Sequence, residues 1–200
     1  MKKLLFASLL LSLLIAVTTS CEKAESEYSS YPCRFIYNNG LYLDLTLASA
    51  MNADAAGVFC HISETSMGGT RYLVFRNSNG DETRKQEMAQ EQQASYILGL
   101  NNGIIVGYQT MDNGQRHGPF AAYDAQCSNC VRESGNTLNP KFPLAMSSNG
   151  IATCSVCQRK YDLNNAGYIQ NPKGSDDRKL IQYVASTTGP YGTIVVSPER

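Results

Sequence analysis

Two short cysteine pairs hold the chemistry this chain is best equipped to do. Cys127-Ser128-Asn129-Cys130 is answered by Cys154-Ser155-Val156-Cys157, with the same internal spacing. In a C-x2-C pair both sulfurs can reach one metal ion across a tight turn, and two facing pairs supply four thiolates in a tetrahedron. The 23 residues between Cys130 and Cys154 slightly exceed the usual zinc spacing of about 15–20. No histidine lies beside either pair, since His117 is ten residues before Cys127 and His61 is remote. A metal site made of Cys127, Cys130, Cys154 and Cys157 is therefore all-thiolate. That donor set suits Zn²⁺ or iron–sulfur chemistry and not Mg²⁺ or Ca²⁺.

Other reactive residues point less firmly. His61 follows Cys60 within a strand pattern, but alternation sends adjacent side chains to opposite faces, so a His/Cys catalytic pair is disfavoured and a surface histidine expected. His117, in "RHGPF", is expected in a loop. Asp124 and Asp162 bracket the knuckles. They could form an acid pair, although hydrogen bonding to turn amides is the commoner use of such residues. Arg159 and Lys160 could offset thiolate charge or form a solvated basic pair. The 12 tyrosines suit strands, with a carbohydrate-binding surface as the alternative. No Gly-rich phosphate loop, nucleophile elbow or metalloprotease motif is present, and no catalytic residue is assigned.

The elements that must position the cysteines read as mainly β. "CRFIYNN" (33–39), "LYLDLTL" (41–47), "GVFCHIS" (57–63) and "TRYLVFRN" (70–77) are strand-like. In the second, Leu41, Leu43, Leu45 and Leu47 alternate on one face, as in a half-buried strand. "NSNGDE" (77–82) predicts a hairpin turn. "QEMAQEQQASYILGL" predicts a short helix over 86–94. "IIVGYQT" and "PFAAYDA" (119–125) predict strands, and "KLIQYVAS" and "TIVVSP" predict two more joined by the Gly/Pro turn "TTGPYG".

The first twenty residues have the layout of a secretory signal peptide: two lysines, an apolar stretch from Leu4 to Val17, then small residues before Cys21. The stretch is short for a membrane span of about 20 residues. "TTSC" resembles the cleavage box of bacterial lipoproteins, with Thr18 where Leu is usual, so Cys21 is expected to be lipidated and to anchor the chain in the membrane. Residues 21–32 are polar and read as a flexible tether, and the acids after Cys21 resemble the surface-export signal of Bacteroidetes lipoproteins. The expected location is the cell envelope, at the outer membrane, facing periplasm or surface. Without Lys2 and Lys3 the 17 basic residues fall to 15 against 17 acidic ones, a balance of −2. No basic block remains, so nucleic acid is excluded as an electrostatic partner. In an oxidising compartment the four knuckle thiols could also pair as disulfides, giving a thiol–disulfide redox protein. For Cys33 and Cys60, a mutual disulfide and two buried free thiols both fit.

The setting of the pairs adds a family resemblance. "AYDAQCSNC" leads by a strand into the first pair. "IATCSVCQRKYDLNNAGY" leads by another into the second, followed by Tyr161-Asp162-Leu163, Gly167 and two closing strands. Over roughly residues 117–197 this resembles the cluster-binding part of Rieske proteins, and the whole resembles Rieske-like lipoproteins of Bacteroidetes. Cys127 and Cys154 match the two cysteine ligands, Cys157 the second histidine and Tyr161 the aromatic after it. Cys130 stands near the first histidine, one residue displaced. The resemblance implies an antiparallel Rieske-like β-sandwich or barrel over 33–200, with a two-knuckle metal-binding subdomain at 117–172. It also implies [2Fe–2S] as a possible occupant. With both imidazoles replaced by thiolates, a high potential is not expected. Clusters are assembled inside cells and cross membranes in folded proteins by the twin-arginine route, whereas this leader has Lys2-Lys3 and no arginine. That favours Zn²⁺ acquired after export, as a structural staple.

Overall fold

The computed structural model describes residues 28–87, 96–110 and 117–199. The expected leader, Cys21 and the start of the tether lie outside the described residues, as does nearly all of the helix expected over 86–94. Gln86 itself ends a strand.

The fold is mainly β, and every strand pairing is antiparallel. The larger sheet uses β1 (Phe35–Asn38), β2 (Phe59–Met67), β3 (Thr70–Asn77), β4 (Glu82–Gln86), β5 (Ile104–Tyr108), β6 (Phe120–Asp124), β11 (Gln182–Thr187) and β12 (Thr193–Ser197). Their order is β1-β12-β11-β6-β5-β2-β3-β4, and the sheet curls into a half-barrel. The smaller sheet has the order β10-β9-β8-β7, from β7 (Leu144–Met146), β8 (Ile151–Cys154), β9 (Lys160–Asp162) and β10 (Tyr168–Ile169).

Turn chemistry sets the hairpins. Gly80, at φ 98°, takes the left-handed position in the turn between β3 and β4, where Asn77 Oδ1 accepts from the Asn79 and Asp81 amides. The strands β11 and β12 are joined across "TTGPYG" as expected.

Alternation then divides the interior in two. One cluster, including Phe35, Leu47, Ile62, Phe75, Val106 and Tyr183, fills the half-barrel. The other, including Phe59, Ile105, Tyr123, Tyr161 and Leu180, packs between the barrel wall and the small sheet. Ile104 and Val106 of β5 face the first cluster while Ile105 faces the second. Both faces of that strand are covered, which is why it reads as the unbroken run "IIV".

The segment 41–47 departs from its expected strand. Asn39–Tyr42 forms α1 and Leu45–Ala50 forms α2. The side chain of Asn38 accepts from the Leu41 amide, and that of Asp44 from the Leu47 amide, capping each helix in turn. Leu43 sits at φ 51°, where the strand is broken. Leu41, Leu43 and Leu45 are 68%, 58% and 70% exposed, and only Leu47 is buried. Two Asx caps outcompete the ladder that apolar alternation alone would favour.

Candidate metal centre

The first knuckle hangs from the end of β6. Asp124 is fully buried there and accepts three hydrogen bonds: from the Leu100 amide and the Tyr183 hydroxyl on Oδ2, and from the Gln126 amide on Oδ1, each at 2.8 Å. Gln126 Oε1 accepts from the Phe142 amide, and the Cys127 amide donates to the Phe142 carbonyl. Cys127 is thereby pinned at the N-cap of α3 (Ser128–Ser134), whose first turn brings Cys130 round beside it.

The second knuckle closes the turn between β8 and β9. Cys154 ends β8, its amide donating to the Arg159 carbonyl, and Gln158 turns the chain at φ 60°. Inside that turn the Cys157 amide points at Cys154 Sγ, 3.4 Å away.

The four sulfurs lie within 4.8 Å of one another and form a group that could hold a metal ion. Cys127 Sγ is 3.6 Å from Cys157 Sγ, and Cys130 Sγ is 3.8 Å from Cys154 Sγ. Cys127, Cys130 and Cys154 are buried, and Cys157 is half-buried. Burial pushes the Cys127 thiol up to about 11 and Cys130 higher still. At Cys157 burial also acts upward, but hydrogen bonds from Arg159 and the neighbouring thiols outweigh it and bring that thiol below its ordinary value. If all four were thiolates, their charge would call for a cation among them.

Residues outside the C-x2-C pairs complete the centre. Tyr161, on β9 and fully buried, places its hydroxyl 3.0 Å from Cys127 Sγ. Asn129 Nδ2 donates to that hydroxyl oxygen and to the Arg178 carbonyl, which leaves the phenolic proton for the sulfur. The strand-free segment 171–180 then straps both knuckles together. Arg178 N donates back to Asn129 Oδ1, and Ser128 Oγ donates to the Lys179 carbonyl. Arg159 grips Asp177 with two nitrogens and reaches Glu133 on α3 with one of them. Lys173 Nζ donates to the Cys157 carbonyl, and its amide to Asp177.

The other candidate residues fall elsewhere. His61 is half-buried in β2, opposite Arg76 and Ile105, and Cys60 faces away from it into the barrel core. Burial, aided by Arg76, lowers His61 to about 4. His117 lies in a loop against the ring of Tyr108. Cys33 and Cys60 are both buried free thiols in the barrel cluster. Burial raises Cys33 to about 12 and Cys60 further. Asp124 and Asp162 do not form an acid pair: Asp162 Oδ1 accepts from the Asn164 amide, at the far end of the β8–β9 hairpin. Arg159 is not part of a solvated basic pair, being 7% exposed and ion-paired, while Lys160 is exposed. Sequence reasoning missed Asn129, Glu133, Lys173 and Asp177. The bonds that tie them to the other knuckle or to the strap span 16 to 49 residues, and only the amide inside "CSNC" carried any local signal.

Among the described residues no helix is long and apolar enough to cross a membrane. No protein-family model, curated protein or solved structure matches the chain.

Proposed function

We propose that this chain is a membrane-anchored module of the cell envelope in which a single Zn²⁺, held by Cys127, Cys130, Cys154 and Cys157, staples two knuckle loops to a Rieske-like β scaffold. The spacing of the sulfurs carries this reading. Zn–S bonds of about 2.3 Å in a tetrahedron put the sulfurs about 3.8 Å apart, and the cross-knuckle pairs stand at 3.6 and 3.8 Å. A two-iron cluster binds two thiolates on each iron and spreads the two pairs further apart. No pair of these sulfurs exceeds 4.8 Å. Four protein ligands also fill the coordination sphere, as in structural zinc sites, and leave no open position for a substrate. The N-terminal apolar stretch and Cys21 support export and lipid anchoring, and the Lys-Lys leader supports loading outside the cell.

The experiment is metal analysis with a visible spectrum on protein purified from the exported compartment. One zinc per chain and no colour is the expected result. Two irons with acid-labile sulfide would replace this reading with an electron carrier, and one iron without sulfide with a mononuclear site. Metal-free disulfides would leave a thiol–disulfide protein. Labelling with a radioactive fatty acid, lost in Cys21→Ala, tests the anchor.

A further inference from the structure

All four sulfurs lie within 4.8 Å of one another, two cross-knuckle pairs stand at 3.6 and 3.8 Å, and the four differ in access. Cys157 is half-buried while Cys127 and Cys154 are fully buried and Cys130 is 6% exposed. An oxidant arriving from solvent meets Cys157 first. Behind it, 3.6 Å away, stands Cys127. The second pair, Cys130 and Cys154, lies 3.8 Å apart in the interior.

We propose that hydroperoxides convert the centre from a metal-stapled to a disulfide-stapled state, with Cys127–Cys157 forming first and Cys130–Cys154 second. The proposal rests on the zinc reading for its starting state. The Cys157 thiolate attacks one peroxide oxygen. The O–O bond breaks, leaving a sulfenic acid and hydroxide, or the alkoxide when the oxidant is an organic hydroperoxide. The Cys127 thiolate then attacks the sulfenic sulfur, forming the S–S bond and expelling a second hydroxide. Two thiolates lose two electrons and the peroxide gains them. Zn²⁺, deprived of two ligands, leaves as the hydrated ion. A second peroxide oxidises the inner pair with the same balance.

Closing each cross pair needs the sulfurs to approach from under 4 Å to about 2.05 Å. Closure within the second knuckle disturbs its turn, because a Cys154–Cys157 bond removes the sulfur from the Cys157 amide. Within the first knuckle, Cys127 and Cys130 sit at the N-terminus of α3 and compete with the cross pairs for the same oxidant. The Asn129–Arg178 and Arg159–Asp177 contacts, which use no sulfur, already hold the two knuckles in register for cross pairing.

The test treats the zinc-loaded mature chain with one, then two equivalents of hydrogen peroxide. It follows zinc with a chromogenic chelator and maps disulfides by mass spectrometry of unreduced peptides. The expected result is Cys127–Cys157 after one equivalent, both cross pairs after two, zinc released in step, and a far-ultraviolet circular dichroism spectrum within about a tenth of the original. Predominant Cys127–Cys130, Cys154–Cys157, Cys130–Cys157 or Cys127–Cys154 linkage, or zinc retained with Cys157 over-oxidised, overturns the proposal. The protein as purified is first assayed for zinc, and the reduced metal-free chain is treated in parallel. A chain that neither holds nor takes up zinc sinks the zinc reading, while cross pairing in that chain leaves the pairing standing.

Discussion

Cys154 concentrates what a single residue does in this molecule. It is a metal donor in the proposed centre, it receives the Cys157 amide, and it is fully buried at the end of β8. Cys154→Ser is expected to abolish stoichiometric zinc binding and lower the melting temperature. An unchanged melting curve would show that the site is not structural. Asp124 offers a pH signature instead. Burial raises its carboxyl from 3.8 to about 6, against three hydrogen bonds that pull downward. The folded chain therefore holds this proton more tightly than the unfolded chain does. The stabilisation is complete below pH 3.8 and is lost as pH rises through about 6, amounting to about 3 kcal/mol. His61 has the opposite sign: its folded value near 4 lies below 6.5, so its contribution is complete above 6.5 and is lost as pH falls through 4. The two contributions oppose each other between pH 4 and 6.5. Asp124→Asn is expected to unmask stability that rises with pH between 4 and 6.5, and His61→Gln stability that falls. Urea titrations across that range, taken as differences from the parent, read both; parallel curves would remove the assigned shifts.

At the scale of elements, α1 and α2 show what the sequence could and could not tell. Strands such as β3 and β12 were legible because alternation, turn residues and burial all agree along one short stretch. The segment 41–47 has the same alternation, but its outcome depends on Asn38 and Asp44 as caps, and on Asp44 being held by Thr83 from β4, 39 residues away. Leu47→Ala is accordingly expected to cost about 2–5 kcal/mol, and Leu45→Ser less than about 0.5 kcal/mol. Equal costs in denaturant unfolding would restore the strand reading. The C-x2-C ligands were visible because their spacing is local. The strap over 171–180 was not, since its residues are ordinary polar ones that gain meaning only against α3 and the second knuckle. Its Arg159–Asp177 contact acts behind the ligands, so Arg159→Met or Asp177→Asn is expected to weaken zinc affinity by roughly 10–100-fold. The double variant should lose less than the product of the two. Chelator competition measures all three, and strict multiplicativity would show that the two side chains act independently.

The whole molecule has two interiors that share a wall. The half-barrel cluster holds Cys33 and Cys60, and the outer cluster holds Cys127, Cys130 and Cys154 with Cys157 packed against it. The outer sheet is short, and two of its four strands have three residues and one has two. A layer of such short strands buries little on its own, so a metal held in the proposed centre would supply part of its folding free energy directly. The barrel has eight strands, the aromatic cluster of Phe35, Tyr37 and Phe75, and no metal ligand in its core. Removing zinc with a chelator under reducing conditions should therefore loosen one layer and spare the other. The four knuckle thiols are expected to react with a chromogenic disulfide within minutes, while Cys33 and Cys60 stay protected until denaturant unfolds the barrel. Amide exchange should rise across 127–180 and remain slow in β2, β3 and β5. The strands β5 and β6 are the critical boundary, because they lose cover on one face and keep it on the other. If they exchange as slowly as β3, the barrel is a separate cooperative unit and the knuckle layer is built upon it. If all six thiols instead become reactive together, one ion holds the entire fold, and the staple acts on the molecule as a single unit.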